Sequence, residues 1–329
     1  MIVKSCSFSS DKRLARCEKQ YDYRAGERLK PKLKKEGLWR GDWLHQLYEA
    51  YYRGQDWEKK HIEIRKAKWD KLFDEEKEMY GEDFPKHIIS LMRHYVDHWG
   101  PNDSKWKIVS IEQAHELMTV WGFPVRWKSD LIVKEKGLNI LVETKNKKEI
   151  PDSKERILAP QVHSYCWLLS QVGIKIDRIL WNYIRTEPIP MPKLNKDGTI
   201  SKAKINTDRR HYRQFLKENR IHPKGEEVIG IENILENLPE TLALERVYNI
   251  PNLKLGEKFV RDWVERHRRA RLIKRPLRHF ARDCAWMCDY YELCQIDLLG
   301  KDRETFIKNN FIQITPADTV EELSTPWKG

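Results

Sequence analysis

SDLIVKEKGLNILVETKNK, Ser129–Lys147, is the stretch whose reading decides the fold. Its β-branched and aliphatic residues fall on both sides of a turn near Gly137, the pattern of a hairpin. Residues two apart along a strand share a face, so Glu143 and Lys145 of VETKN project together while Val142 and Thr144 take the other side. Antiparallel pairing brings Asp130 level with Glu143 to Lys145, and the charges of Asp130, Glu143 and Lys145 converge. Neighbouring carboxylates repel, and burying them is costly unless a cation sits between them. Hard oxygen ligands suit Mg²⁺ or Mn²⁺. Such an ion binds a phosphate oxygen and lowers the pKa of a bound water, and Lys145 is placed to position that water. The chemistry expected of such a site is phosphodiester hydrolysis. The competing reading of the same residues is a solvated strand face that carries Glu and Lys for solubility.

Outward from this hairpin, residues 106–120, 123–135, 138–146 and 175–186 read as four strands, each bounded by turn residues. Residues 156–173, RILAPQVHSYCWLLSQVG, have helical spacing and end at a glycine, which gives the order β-β-β-α-β and a mixed α/β core. Residues from Arg40 to Trp99 read as helical, and the pattern breaks at Gly100 and Pro101. Residues 187–215 are rich in Pro, Lys and Arg with little periodicity, an exposed excursion, and 255–283 return to basic helix. The expected organisation is a helical region over 1–104, a core over 105–188, and a basic excursion with a helical C-terminal region over 189–329, integrated into one domain.

With 329 residues, 40% of them hydrophobic and 13 of them tryptophan, the chain can bury a sizeable core. A formal charge of +12 draws polyanions, nucleic acid first. A membrane is the rival polyanion, but no apolar run reaches the roughly 18 residues of a spanning helix. The opening MIVKSCSFSS has no signal-peptide core, so the expectation is a soluble, cytoplasmic protein without a membrane partner. Of six cysteines, Cys284, Cys288 and Cys294 crowd RDCAWMCDYYELC, a spacing that in an intracellular protein points to metal before disulfides. Three thiolates leave a four-coordinate centre one ligand short. Cys166, among Tyr165, Trp167 and Leu168, reads as a small buried hydrophobe.

Asp130, the strand ETK and the helix QVHSY, in that order, resemble the PD-(D/E)XK nuclease superfamily, specifically its RecB-like branch. The resemblance implies a restriction-endonuclease-like mixed sheet flanked by helices. It also implies Asp130 and Glu143 as metal ligands, the backbone carbonyl of Thr144 as a further one, and Lys145 as the catalytic lysine. Gln161 and Tyr165, four apart on one helical face, match the branch's substrate-proximal pair. Ser129 stands where the family pattern has proline. Upstream, RGDWLHQ supplies the branch's Gly and His as Gly41 and His45, whose bland reading is a packing histidine beside Leu44, Leu47 and Tyr48. Imidazole suits Mn²⁺ and is acceptable at Mg²⁺ sites, so the ion stays open. His163 is given no role.

Members of the same branch, the AddB-type and CRISPR-adaptation nucleases, hold an iron-sulfur cluster by one cysteine near the start and three near the end. FSSDKRLARCEKQYDYR resembles their opening segment, so the resemblance implies Cys17 as fourth ligand to Cys284, Cys288 and Cys294, with [4Fe-4S] expected and zinc the alternative. Such a centre would staple the terminal regions together.

Residues 193–215 and 266–280 interleave aromatics with Lys and Arg, a combination that suits single strands or the ends of duplex DNA, against a solvated basic face as the bland reading. No base-reading motif and no G-x4-G-K-[ST] P-loop occurs, so translocation would need a helicase or recombination partner. The expectation is a metal-dependent deoxyribonuclease, most plausibly an exonuclease without sequence specificity, of a kind similar to phage or mobile-element nucleases. The alternatives are an endonuclease or end-trimming nuclease in a CRISPR-adaptation-like complex, and a non-catalytic DNA-end-binding protein.

Overall fold

The computed structural model describes residues 5–148, 156–201, 203, 205–222, 224–282 and 284–315, so Lys202 and Lys204 of the basic excursion lie outside the described residues. In chain order the elements are α1 (Phe8–Arg16), α2 (Glu18–Tyr21), β1 (Leu29–Pro31), α3 (Glu36–Tyr52), α4 (Trp57–Ile64), α5 (Asp74–Glu78) and α6 (Phe84–Asp103). Next come β2 (Lys107–Met118), β3 (Pro124–Glu135), β4 (Leu138–Lys147), α7 (Pro160–Gln171), β5 (Arg178–Arg185), α8 (Arg209–Glu218), α9 (Glu226–Asn237) and β6 (Leu244–Asn249). The chain continues through α10 (Leu253–Leu272), α11 (Cys284–Met287), α12 (Tyr291–Leu298), α13 (Arg303–Asn310) and β7 (Phe311–Gln313). Two compact units divide it: residues 1–143, 157–179 and 249–329 form the first, residues 144–156 and 180–248 the second.

The main sheet has the order β2-β3-β4-β5-β6. β2 and β3 pair antiparallel from Lys107↔Lys134 to Met118↔Pro124, and β3 and β4 pair antiparallel from Leu131↔Val142 to Glu135↔Leu138. Lys136 and Gly137 join the last two with positive φ of 49° and 86°, the handedness that a two-residue hairpin needs to match strand twist. β5 runs parallel to β4, because the Asp177 N–H donates to Asn139 O (2.9 Å) and the Thr186 N–H to Lys147 O (2.7 Å). The parallel return requires a crossover, and α7 supplies it. The result is a mixed sheet with helices beside it. Ile140 through Thr144 are buried without a break, as in a strand covered on both faces, so the solvated-face reading of VETK fails at Glu143.

In the first unit α3 buries Trp39, Trp43, Leu44, Leu47 and Tyr48, with Trp39 packed against Trp69, Tyr80 and Phe84, Trp43 against Phe84 and Tyr48 against Tyr95. α6 runs through Gly100 and Pro101 to Asp103, where the sequence led us to expect a break. Proline this close to a helix end removes one hydrogen bond only. Asp103, the last residue, is held by the Tyr52 hydroxyl at 2.9 Å. In the second unit the ends of β4 and β5 meet through Asn182, whose amide donates to Thr144 Oγ1 at 3.1 Å and accepts from Arg246 Nε at 3.1 Å. Among the described residues no helix is long and apolar enough to cross a membrane.

The expected four-cysteine centre, whether [4Fe-4S] or zinc, is corrected by the structure. Among the described residues the His, Cys, Asp and Glu ligand atoms that gather three or more within 4.8 Å belong to His45, Glu112 and Asp130, and no cysteine is among them. Cys17, Cys284, Cys288 and Cys294 are free thiols that border a mostly hydrophobic cavity. Their sulfurs take part in hydrogen bonds instead: His279 N–H approaches Cys17 Sγ at 3.5 Å, Ala281 N–H approaches Cys284 Sγ at 3.3 Å and Arg278 Nε approaches Cys294 Sγ at 3.2 Å. Burial pushes the Cys288 thiol up. The joint is made by packing. Tyr23, Leu29, Tyr290, Leu293 and Phe311 form one buried cluster, β1 pairs antiparallel with β7, and Asp297 accepts from Tyr23 Oη (2.5 Å), Arg278 (3.2 Å) and Arg303 (2.7 Å). Cys6 and Cys166 are buried as small hydrophobes, and Cys6 forms a backbone bridge to Val125.

Two buried histidines give the fold a pH dependence. Burial lowers the pKa of His61, stacked on Trp43 with centroids 5.1 Å apart, and of His267, whose Nδ1–H donates to Trp263 O at 2.8 Å, to about 4 each. The folded form holds both neutral while the unfolded form takes up protons near pH 6.5, so their contribution is whole above pH 6.5 and is lost as pH falls toward 4. Each accounts for roughly 3 kcal/mol. Urea midpoints measured from pH 7.5 to 4 should fall, and His61→Phe should flatten the slope between 6.5 and 4; an unchanged slope in the variant would refute this.

Candidate active site

The cross-strand register lines up acids. Ile111 opposes Leu131 and Gln113 opposes Ser129, so Glu112 lies level with Asp130; one step beyond the Leu131↔Val142 pair, Asp130 lies level with Glu143. Neighbouring residues across a ladder point to the same face, which puts Glu112, Asp130 and Glu143 in one row across β2, β3 and β4. Glu143 is fully buried, at 0% exposure, and Glu112 is nearly so. Glu112 also adopts φ of +48°, a left-handed conformation that costs a residue with a Cβ about 1–2 kcal/mol. That strain is held where a carboxylate is aimed into the row.

α3 brings His45 to these acids. Its Nδ1 is 3.2 Å from Glu112 Oε1 and 4.0 Å from Asp130 Oδ2, and 32% of its side chain remains accessible. Burial disfavours the imidazolium, but Asp130, Glu112 and Glu143 outweigh it and push the His45 pKa up to about 9. Lys128 Nζ lies 2.5 Å from Glu112 Oε2; burial acts to raise the Glu112 pKa, and His45 and Lys128 overcome it and hold it low. His45 and Lys128 thus set positive charge against this row of acids.

A divalent ion fits this donor set. The ligand atoms of His45, Glu112 and Asp130 lie within 4.8 Å of one another, close to the ~4.2 Å span across an octahedral Mg²⁺. Carboxylate oxygens suit Mg²⁺ and Mn²⁺, and the imidazole adds a ligand that Mn²⁺ accepts readily.

α7 carries the other pair. Gln161 Nε2 approaches Tyr165 Oη at 3.4 Å, so the two do share a helical face. Burial, with Glu143 and Asp130 next in effect, drives the Tyr165 pKa well up, and its hydroxyl keeps its proton as a donor. His163 is structural: its Nε2–H donates to Ile157 O at 2.9 Å and its Nδ1 accepts from Asn252 N–H at 3.2 Å. Lys145 follows Glu143 by two residues on β4, and Thr144 between them is buried.

The structure thus gathers His45 and Asp130, sets Glu143 in the same row, pairs Gln161 with Tyr165, and leaves Cys17, Cys284, Cys288 and Cys294 apart from any such group. The sequence reading missed Glu112. The signal was available in VWGFP: a tight turn at Trp121–Gly122 fixes the β2/β3 register and sets position 112 opposite 130.

Residues 5–295 match the family model described as the PD-(D/E)XK nuclease superfamily. Among solved structures, the chain is similar to a Eubacterium rectale protein described as a candidate exonuclease, at 12% identity and a TM-score of 0.41, over 87% of this chain and 94% of that one. It is also similar to the protein SSO0001, at 12% identity and a TM-score of 0.26, over 68% of this chain and 79% of that one. A comparison with curated proteins finds no match.

Proposed function

The chain belongs to the PD-(D/E)XK nuclease superfamily, and from that premise we propose that it is an exonuclease that hydrolyses DNA from its ends with Mg²⁺ or Mn²⁺ and without sequence specificity. The observation that carries the reading is the meeting of His45 with the Glu112–Asp130–Glu143 row in the first unit. The order of Asp130, Glu143-x-Lys145 and Gln161-x3-Tyr165 is that of the RecB-like branch.

His45, Glu112, Asp130 and Glu143 would hold the ion, with the Thr144 carbonyl as a further ligand. When bound, the ion supplies a Lewis acid for the scissile phosphate and lowers the pKa of a water. Lys145, on the Glu143 face of β4, orients that water and offsets charge that builds on phosphorus. Gln161 stands in the first turn of α7, where helix amides favour an anion, and its side-chain N–H groups and the Tyr165 hydroxyl donate to phosphate oxygens. The basic segment 266–280 offers Lys and Arg to the phosphates of the strand being fed in. Helicase or recombination partners supply any translocation.

Labelled linear and covalently closed circular DNA, each incubated with Mg²⁺ or Mn²⁺, test the reading. Digestion of linear DNA to mononucleotides and short oligonucleotides with circles left intact is the expected result. Cutting of circles would favour an endonuclease, and binding without metal-dependent cutting of either would favour a DNA-end-binding module.

A further inference from the structure

The β2–β3 turn is built unlike a loose connection. Thr119 donates through both its N–H (3.1 Å) and its Oγ1 (2.8 Å) to Phe123 O, and the Gly122 N–H returns to Thr119 O (2.8 Å) with Gly122 at φ +66°. Trp121 stacks on Trp167 of α7 with centroids 5.6 Å apart and planes 23° from parallel, and Arg268 of α10 donates to Trp121 O. The first three bonds close the turn on itself, and the Trp121 stacking and the Arg268 bond fix it to α7 and α10. The rigid frame presents large apolar side chains to solvent: Val120 is 81% exposed and Met118 is 64% exposed. A surface hydrophobe on a loop that can relax needs no explanation; two of them held on a braced turn do.

Two arginines of α10, Arg268 and Arg271, stand at that turn, while Arg266 is paired with Asp11 and Arg269 with Glu265. Arg268 reaches the turn directly and the Arg271 guanidinium sits 4.3 Å from the Phe123 ring centroid, which places charge at the foot of the apolar tip. Apolar tips with an arginine collar match the end of a duplex, whose last base pair offers a stacking face and whose flanking phosphates are anionic. The same turn is stacked on α7, the helix that carries Gln161 and Tyr165.

We propose that the β2–β3 turn is a wedge that seats Met118 and Val120 against the terminal base pair of duplex DNA and opens it, while arginines of α10 hold the flanking phosphates. The proposal deepens the nuclease reading and rests on it for the fate of the freed strand. It explains how a chain with no P-loop gains a single strand from a blunt end: binding to the basic collar offsets the cost of unstacking.

The test uses a blunt duplex with 2-aminopurine in its terminal base pair, mixed in EDTA with the full-length protein and with the Met118→Ser/Val120→Ser variant. Both should bind, by anisotropy, with similar affinity; the wild type should raise 2-aminopurine fluorescence severalfold and the variant should not. With Mg²⁺ restored, the variant should digest single-stranded DNA at the wild-type rate and blunt duplex about tenfold more slowly. Equal fluorescence from the two proteins, or an equal loss on both substrates, overturns the wedge and leaves the turn as a surface for another protein. Absence of cleavage of any DNA by the wild type would instead sink the nuclease reading, and the fluorescence result would stand apart from it.

Discussion

Asp130→Asn is expected to cut metal-dependent DNA hydrolysis by on the order of 10³-fold while leaving the fold intact. Asp130 occupies the middle of the carboxylate row, level with Glu112 on one side and Glu143 on the other, and its Oδ2 is 4.0 Å from His45 Nδ1. Asparagine keeps its shape and size, so packing is undisturbed, but it withdraws a full negative charge and a strong oxygen ligand from the ion. In the metal-free protein the same change relieves repulsion between adjacent carboxylates, so the thermal midpoint should hold or rise. Asp130 is among the acids that push the His45 pKa up, so the variant's imidazole should titrate lower than the wild type's. An NMR titration of His45 reads that shift without any turnover. Loss of activity together with a fallen midpoint would mean that Asp130 is structural.

Gly256→Val should destabilise the protein by about 3 kcal/mol or more, the largest stability effect we expect from a single substitution. A Cβ at Gly256 would lie 2.1 Å from His163 O, 2.7 Å from His163 C and 3.0 Å from Trp167 Cβ. Two of those three atoms are backbone, so no side-chain rotation relieves the overlap, and α10 must move off α7. The movement would also break the Asn252 N–H to His163 Nδ1 hydrogen bond and shift the helix that presents Gln161 and Tyr165. Chemical denaturation of the purified variant measures the loss. A shift below 1 kcal/mol would show that α7 and α10 are not in this close contact.

The parts of this fold that local chemistry controls were legible in the sequence. Lys136–Gly137 with aliphatic runs on both sides announces a two-residue hairpin, and alternation along VETKN places Glu143 and Lys145 on one face. Helical spacing sets Gln161 and Tyr165 on one face, and the resemblance alone singled them out. His45 was reached by resemblance, since its neighbours Leu44, Leu47 and Tyr48 are buried as a packing helix would have them. What stayed hidden depends on contacts between distant segments. Glu112 gains its meaning from a register set by the turn at Gly122, and its left-handed backbone is invisible in composition. The cysteines mislead for the same reason: C-x3-C-x5-C is a local spacing, whereas coordination requires sulfurs from separate segments to converge. The stacking of Tyr23, Tyr290 and Phe311 took over the joint that a cluster was expected to make.

The account stands or falls on the ion, and manganese makes the ion visible. Crystals soaked in Mn²⁺ and measured at the manganese absorption edge should show an anomalous peak within bonding distance of His45, Asp130 and Glu143, and the same soak of Asp130→Asn should lose most of that peak. A wild-type map with no peak among these side chains, or one that Asp130→Asn leaves at full height, would contradict the central claim.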